Sequence, residues 1–260
     1  MKVRWRIAAA VAATIVLVVG ITVHFVQARA ARARFLMAAP DTIANDPKLI
    51  AYAMPRGKSA YADHCASCHG EQLLGDPARG VPNLVDAEWL YGSGRIGEIE
   101  RIILYGIRSG NSKGWDLASM PAFGRPVPYK RYKIPPLTPS ELDDVTAFLL
   151  ALQRRPVDSD AAGRGSKIFH SGDRGVCWDC HGEDARGDTA IGAPDLTDAV
   201  WLYGDGSRQS IYQSIANGRA GTCPAWITRL PAETIRALAV YVHSSKKTAG
   251  PTGAAGNTHD

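Results

Sequence analysis

The feature that most constrains this chain is an internal repeat. Cys65-Ala66-Ser67-Cys68-His69 recurs 112 residues later as Cys177-Trp178-Asp179-Cys180-His181. The same offset carries Gly70 onto Gly182, Gly75 onto Gly187, Pro82 onto Pro194, Leu84 onto Leu196 and Asp86 onto Asp198. It also carries Trp89-Leu90-Tyr91-Gly92 onto Trp201-Leu202-Tyr203-Gly204. A unit of about 100 residues, an ordinary domain size, is therefore present twice. Register is lost further on. Met120-Pro121-Ala122-Phe123 starts 55 residues after its first Cys, and Cys223-Pro224-Ala225-Trp226 starts 46 after its own. The first half thus carries about nine extra residues, expected within 110–119.

Each half closes on a helix-like stretch, Pro139–Leu152 and Pro231–His243. Thr138 with Glu141 three residues on, and Pro139 between them, is a capping box with Pro at the first helical position. Leu142, Val145, Phe148, Leu149 and Leu152 then form an i, i+3, i+4 apolar stripe. Little in the chain alternates like a strand, and short helices separated by Gly/Pro loops dominate. The expected fold class is all-α. The expected layout is a transmembrane anchor at 1–27, a linker at 28–53, domains at 54–153 and 154–243, and a disordered tail at 244–260.

The anchor rests on Ile7 to Val26, 20 residues interrupted only by Thr14, Gly20, Thr22 and His24. About 20 such residues cross a bilayer as a helix. Lys2, Arg4 and Arg6 precede the run, which favours a cytoplasmic N-terminus. A cleaved signal peptide is the competing reading, with Ala28-Arg29-Ala30 as a loose cleavage site. Both send the remainder across the membrane. Charge is consistent with this. The formal charge is +5 with 30 basic and 25 acidic residues, but residues 1–40 hold six basic groups and no acid. The rest has 24 basic groups against 25 acids, so it offers no excess for binding nucleic acid.

A C-x-x-C-H run is the attachment signature of c-type haem: two thiols form thioethers with the vinyl groups, and the His reaches the iron. A zinc site would need the two Cys pairs to converge on one ion, yet each pair has its own His and its own downstream repeat. A thiol–disulfide redox motif would need a β-α-β setting that is absent. The expectation is two haem c groups, attached through Cys65 and Cys68 and through Cys177 and Cys180, with His69 and His181 as proximal iron ligands. Haem attachment by this route places the domains on the periplasmic face. Pro82 and Pro194 are expected near these His rings, where a carbonyl could accept the ring N–H and tune the iron.

The distal ligands differ. Only one of the four Met, Met120, follows the first motif, and none follows it in the second half. Met120 is expected as distal ligand of the first haem, a His/Met pair suited to electron transfer. Cys223 stands where Met120 stands in the repeat, and it is the unpaired fifth Cys. It is expected as a thiolate ligand of the second haem. An inert thiol, with the iron five-coordinate or held by His243 or a Lys, is the alternative. The Trp-Leu-Tyr-Gly segments are expected as core packing beside the haem.

The tandem motifs, the Trp-Leu-Tyr-Gly repeat and the run from Ile215 to Trp226 resemble the dihaem cytochrome c subunit of cbb-type haem–copper oxidases, over about residues 55–243. The resemblance implies two class I cytochrome c folds, a membrane anchor and electron relay from a donor cytochrome towards an oxidase. It implies His69, Met120 and His181 as iron ligands. Two departures are visible: Cys223 stands where the family carries Met, and the apolar run starts already at Ile7. The expected partners are redox proteins (another cytochrome, an oxidase or a dehydrogenase) and the bacterial inner membrane. No catalytic acid–base pair or nucleophile stands out. The competing function is a thiosulfate-type dehydrogenase with a His/Cys-ligated catalytic haem and Arg219 as oxyanion binder.

Overall fold

The computed structural model describes residues 2–86, 88–130 and 132–246. Most of the tail expected at 244–260 lies outside them. Helix α1 spans Lys2–Met37, followed by a 3₁₀ turn at Pro40–Asn45 and α2 at Pro47–His64. The first half continues with α3 (Ala66–His69), α4 (Ile96–Tyr105), the hairpin β1 (Val127–Tyr129) and β2 (Tyr132–Ile134), and α5 (Pro139–Leu152). The second half supplies α6 (Ser159–Phe169), α7 (Trp178–His181), α8 (Arg208–Asn217) and α9 (Ala232–Lys246). The fold is all-α apart from that hairpin, which forms inside the proline-rich stretch 121–139. Residues 28–53, expected as a linker, are largely helical.

Local chemistry sets the helix starts. Asp46 accepts from the N–H groups of Lys48 and Leu49 at the head of α2. Asp158 accepts from Asp160 and Ala161 at the head of α6. The capping box at α5 forms in both directions, Thr138 N–H to Glu141 at 2.8 Å and Glu141 N–H to Thr138 Oγ1 at 3.3 Å.

The helices pack into two lobes, and each lobe draws on both halves of the repeat. In the first lobe α2 lies on α9, with α4 beside it. Its core joins Leu49, Ala53, Tyr61, Ile96 and Ile99 to Leu238 and Val240 from the far end of the chain. In the second lobe α6 lies on α5, with α8 beside it. Its core joins Phe123, Ile134, Leu142, Val145 and Leu149 of the first half to Phe169, Val176, Ile211 and Ile215 of the second. The halves have exchanged their closing helices.

Both helix crossings use the same device. A Cβ at Gly57 would collide with the Ala237 carbonyl of α9, and a Cβ at Gly165 with the Asp144 carbonyl of α5. Backbones can approach this closely only where no side chain intervenes. Four residues on, an aromatic ring seals each crossing: Tyr61 against Tyr241 at 5.5 Å, Phe169 against Phe148 at 5.3 Å.

The two exchanging segments pair as they pass. Ile107 and Cys223 share two backbone hydrogen bonds of 2.9 Å, and Met120 and Arg219 share two of 3.0 Å. Repeat-related loops then hold the lobes together. Gly92 N–H donates to Thr189 and Gly204 N–H to Pro77, at 3.1 and 2.9 Å. The Tyr203 ring fills the space beside Gly80, and the Tyr91 ring that beside Gly192. Each of these four partners maps onto its counterpart by the 112-residue offset, so the contact is pseudo-two-fold.

Helix α1 holds the segment 11–37, long and apolar enough to cross a membrane. Its end is fixed to the first lobe. Phe35 is fully buried there. Arg236 of α9 donates to the carbonyls of Phe35, Leu36 and Ala38, satisfying helix-end acceptors, and pairs with Glu100 of α4 at 3.1 Å. Both partners of that ion pair are nearly out of solvent.

Candidate functional site

The first motif directly follows α2, and the second follows α6 after the seven residues 170–176. The motif turn is a single helical turn in both copies, so the two thiols and the His project from one short segment. No disulfide joins any of the five cysteines. Burial raises the Cys65 thiol to about 11 and the Cys177 thiol to about 12.

The imidazoles are held identically. His69 Nδ1 lies 3.2 Å from the Pro82 carbonyl, and His181 Nδ1 3.0 Å from the Pro194 carbonyl. A carbonyl only accepts, so Nδ1 is the protonated nitrogen in both rings and Nε2 keeps its lone pair. Burial lowers both imidazole pKa values, against a smaller opposing effect of the carbonyl. Each ring is thus a neutral, oriented donor, the form a metal needs. Among the described residues no group of three or more His, Cys, Asp and Glu side chains converges as a protein-only metal cage would require. Two thiols and one imidazole per lobe fit haem c, whose porphyrin supplies the other nitrogen donors. The buried indole N–H groups of Trp89 and Trp178, which lack a protein acceptor, are donors that a carboxylate-bearing ligand can satisfy.

The two distal candidates lie in the lobes opposite their own motifs. Cys223 lies with the first motif, not the second: its thiol is near those of Cys65 and Cys68, and its backbone pairs with Ile107 beyond α4. Met120 packs against the second lobe's core together with Cys177 and Leu196. The reason is the exchange of closing segments, which carries Met120 out of the lobe that holds His69. His243, offered as an alternative ligand for the second half, also lies in the first lobe, where its Nδ1 is 2.8 Å from the Gly94 carbonyl. Burial pushes the Cys223 thiol up to about 11.

Other residues hold the two lobes in place. Tyr91 and Tyr203, expected in the core beside a haem, instead cross between lobes. Arg108, with positive φ, ties the crossover together by donating to the Gly221 and Ala118 carbonyls and to the Tyr91 hydroxyl at 2.6, 2.9 and 2.9 Å. Its repeat counterpart is Ala220, so the repeat carried no signal for it. Trp115 lies in the nine-residue excess and donates its indole N–H to Ala190 in the second lobe's loop at 2.9 Å. The unequal length of the halves was its trace in the sequence.

The two halves of the chain have known counterparts. Residues 54–153 match the family described as cytochrome c, and residues 160–242 match cytochrome c oxidase, cbb3-type, subunit III. The cbb3-type cytochrome c oxidase subunit FixP of Bradyrhizobium sp. (strain ORS 278) is 42% identical over 204 residues, 78% of this chain and 64% of that protein. The subunit CcoP of Azospirillum sp. (strain B510) is 37% identical over 229 residues, 84% of this chain and 72% of that protein. The chain belongs to the FixP/CcoP family. It spans a little under two thirds of the length of the FixP relative. As a family member it has two cytochrome c domains with two haem c groups, and its N-terminal apolar helix is a membrane anchor.

Proposed function

We propose that this FixP/CcoP-family chain relays electrons between a donor redox protein and the remaining subunits of a cbb3-type oxidase, with its lobes on the periplasmic face of a bacterial inner membrane. The observation that carries the reading is the pair of equivalent Cys-Cys-His constellations in two lobes that touch through a pseudo-two-fold contact. Haem iron, when bound, supplies a one-electron couple. The protein supplies the rest. Cys65, Cys68, Cys177 and Cys180 anchor covalently. His69 and His181 present Nε2, with Pro82 and Pro194 fixing the rings. The two cores exclude water and keep the sites rigid, which limits reorganisation during transfer. Reciprocal docking of Tyr91 and Tyr203 onto the opposite lobe's loop holds the separation between the sites constant.

The dehydrogenase reading is not favoured. Arg219 is already engaged: its guanidinium donates to Ser214 and stacks over the Tyr203 ring at 4.5 Å. An anaerobic titration of the purified full-length chain tests the proposal. It should take up two electrons and be reoxidised on adding a cbb3-type oxidase preparation that lacks this subunit. Turnover of thiosulfate with an artificial acceptor, or failure to exchange electrons with the oxidase, would overturn it.

A further inference from the structure

We infer that Cys223 is the thiolate ligand of the iron bound through His69, and that Met120 is the ligand of the iron bound through His181. Each iron would then be held by one ligand from each half of the repeat. The inference rests on the relay reading above and adds which site holds the electron.

Three observations carry it. First, the segments bearing Met120 and Cys223 cross between lobes and are pinned at those residues. Cys223 is backbone-paired to Ile107, at the end of the first lobe's α4, and Met120 to Arg219, at the end of the second lobe's α8. Ile107 and Arg219 are themselves related by the 112-residue offset, so Cys223 and Met120 occupy equivalent places in opposite lobes. Second, the Cys223 thiol lies within electrostatic reach of Cys65 and Cys68, the attachment thiols of the first site. Its one hydrogen-bond contact is a long one, 3.9 Å, to the adjacent Pro224 carbonyl. Third, Met120 lies with Phe123, Cys177 and Leu196 in the second lobe.

The two ligands differ in chemistry. A thiolate is anionic and donates charge, which favours ferric iron; a thioether is neutral and favours ferrous iron. The first lobe, next to the membrane anchor, is then the harder to reduce. The first electron added to the protein rests in the second lobe, under Met120.

The test is a stepwise anaerobic reduction of the full-length holoprotein, followed by electron paramagnetic resonance and optical spectroscopy. One electron from an added reductant converts one ferric iron to ferrous. At that point the low-spin thiolate signal should persist and the His/Met signal should be lost. Position is read from single-thioether variants, which keep the haem and shift its optical band. Cys177→Ser should shift the band that appears with the first electron, and Cys65→Ser the band that appears with the second. Cys223→Met should abolish the thiolate signal and bring the two midpoints together. If one of these variants fails to accumulate, the other two still decide the assignment. A wild-type protein with no thiolate signal, or a thiolate signal that tracks the Cys177→Ser band, would overturn the inference. Either result, with both irons still reducible and reoxidised by the oxidase, would leave the relay reading standing.

Discussion

The two lobes are copies of one design completed in opposite directions along the chain. The first is opened by α2 and closed by α9, nearly two hundred residues away in sequence; the second is opened by α6 and closed by α5, its immediate predecessor. Their crossings match down to a glycine followed four residues later by an aromatic ring. They differ in what surrounds that frame. The first lobe seats the anchor through the buried Arg236–Glu100 pair and faces a cysteine. The second carries the proline-rich hairpin and faces a methionine. A duplicated domain can thus keep its packing rules while trading partners, and the trade brings a cysteine to one motif and a methionine to the other.

The largest effect should come from separating the halves. Residues 1–153 alone lack α9, and residues 154–260 alone lack α5, so neither piece can close a lobe. Each should lose its cooperative thermal transition, whereas co-expressed pieces should recover it. Independent folding of either piece would break the comparison.

Removing Arg236 leaves Glu100 buried without its partner and frees the carbonyls at the foot of α1. Loss of one member of a buried pair costs about 3–5 kcal/mol, so Arg236→Ala should lower the denaturation midpoint strongly. Arg164→Ala should cost less, because Arg164 is 57% exposed where Arg236 is 14% exposed, and water can replace it beside Asp144. Equal losses would mean that the anchor's seat is no tighter than the second lobe's surface.

Gly57→Ala and Gly165→Ala should each cost about 1–3 kcal/mol, the usual range for overpacking, because backbone carbonyls cannot move aside. Similar losses at both would confirm equivalent crossings despite the exchanged partners.

The smallest effect concerns the start of α4. Desolvation raises the Glu98 carboxyl, but hydrogen bonds from Arg95 and Ser93 outweigh it and hold the group at about 2, against an ordinary 4.5. A depressed folded-state pKa means that the stabilisation is complete above pH 4.5 and lost as pH falls towards about 2. Since its partner Arg95 is 65% exposed and the pair sits at the surface, Glu98→Gln should cost only on the order of 0.5 kcal/mol at neutral pH. It should also flatten the melting temperature's acid slope in that window. The second lobe uses Asp205, held at about 2 by Ser207 and Ser210, so Asp205→Asn should act in the same direction.

Much of this was legible in the sequence. The contact of each motif's imidazole with its downstream proline carbonyl and the span of α5 follow from short-range patterns: a repeated spacing, a capping box, an apolar stripe. The exchange was not legible, for a physical reason. α5 and α9 carry interchangeable apolar stripes, and α2 and α6 offer interchangeable glycine–aromatic crossings, so local patterning favours either pairing. What decides is the path of the crossover segments, fixed by the Ile107–Cys223 and Met120–Arg219 pairings, by Arg108 and by Trp115. Nothing local to Met120 or Cys223 tells which of the two motifs it will lie beside. The order within residues 28–53 leaves no local trace either, because the contacts that fix it come from Arg236 and Glu233 near the other end of the chain.

The most direct test of the exchanged closure is the far-red methionine-to-iron charge-transfer band in ferric protein that keeps only the first attachment site, as Cys177→Ala with Cys180→Ala. The exchange places Met120 in the other lobe, so the band should be absent and the thiolate resonance retained. A persistent methionine band in that variant would contradict the account.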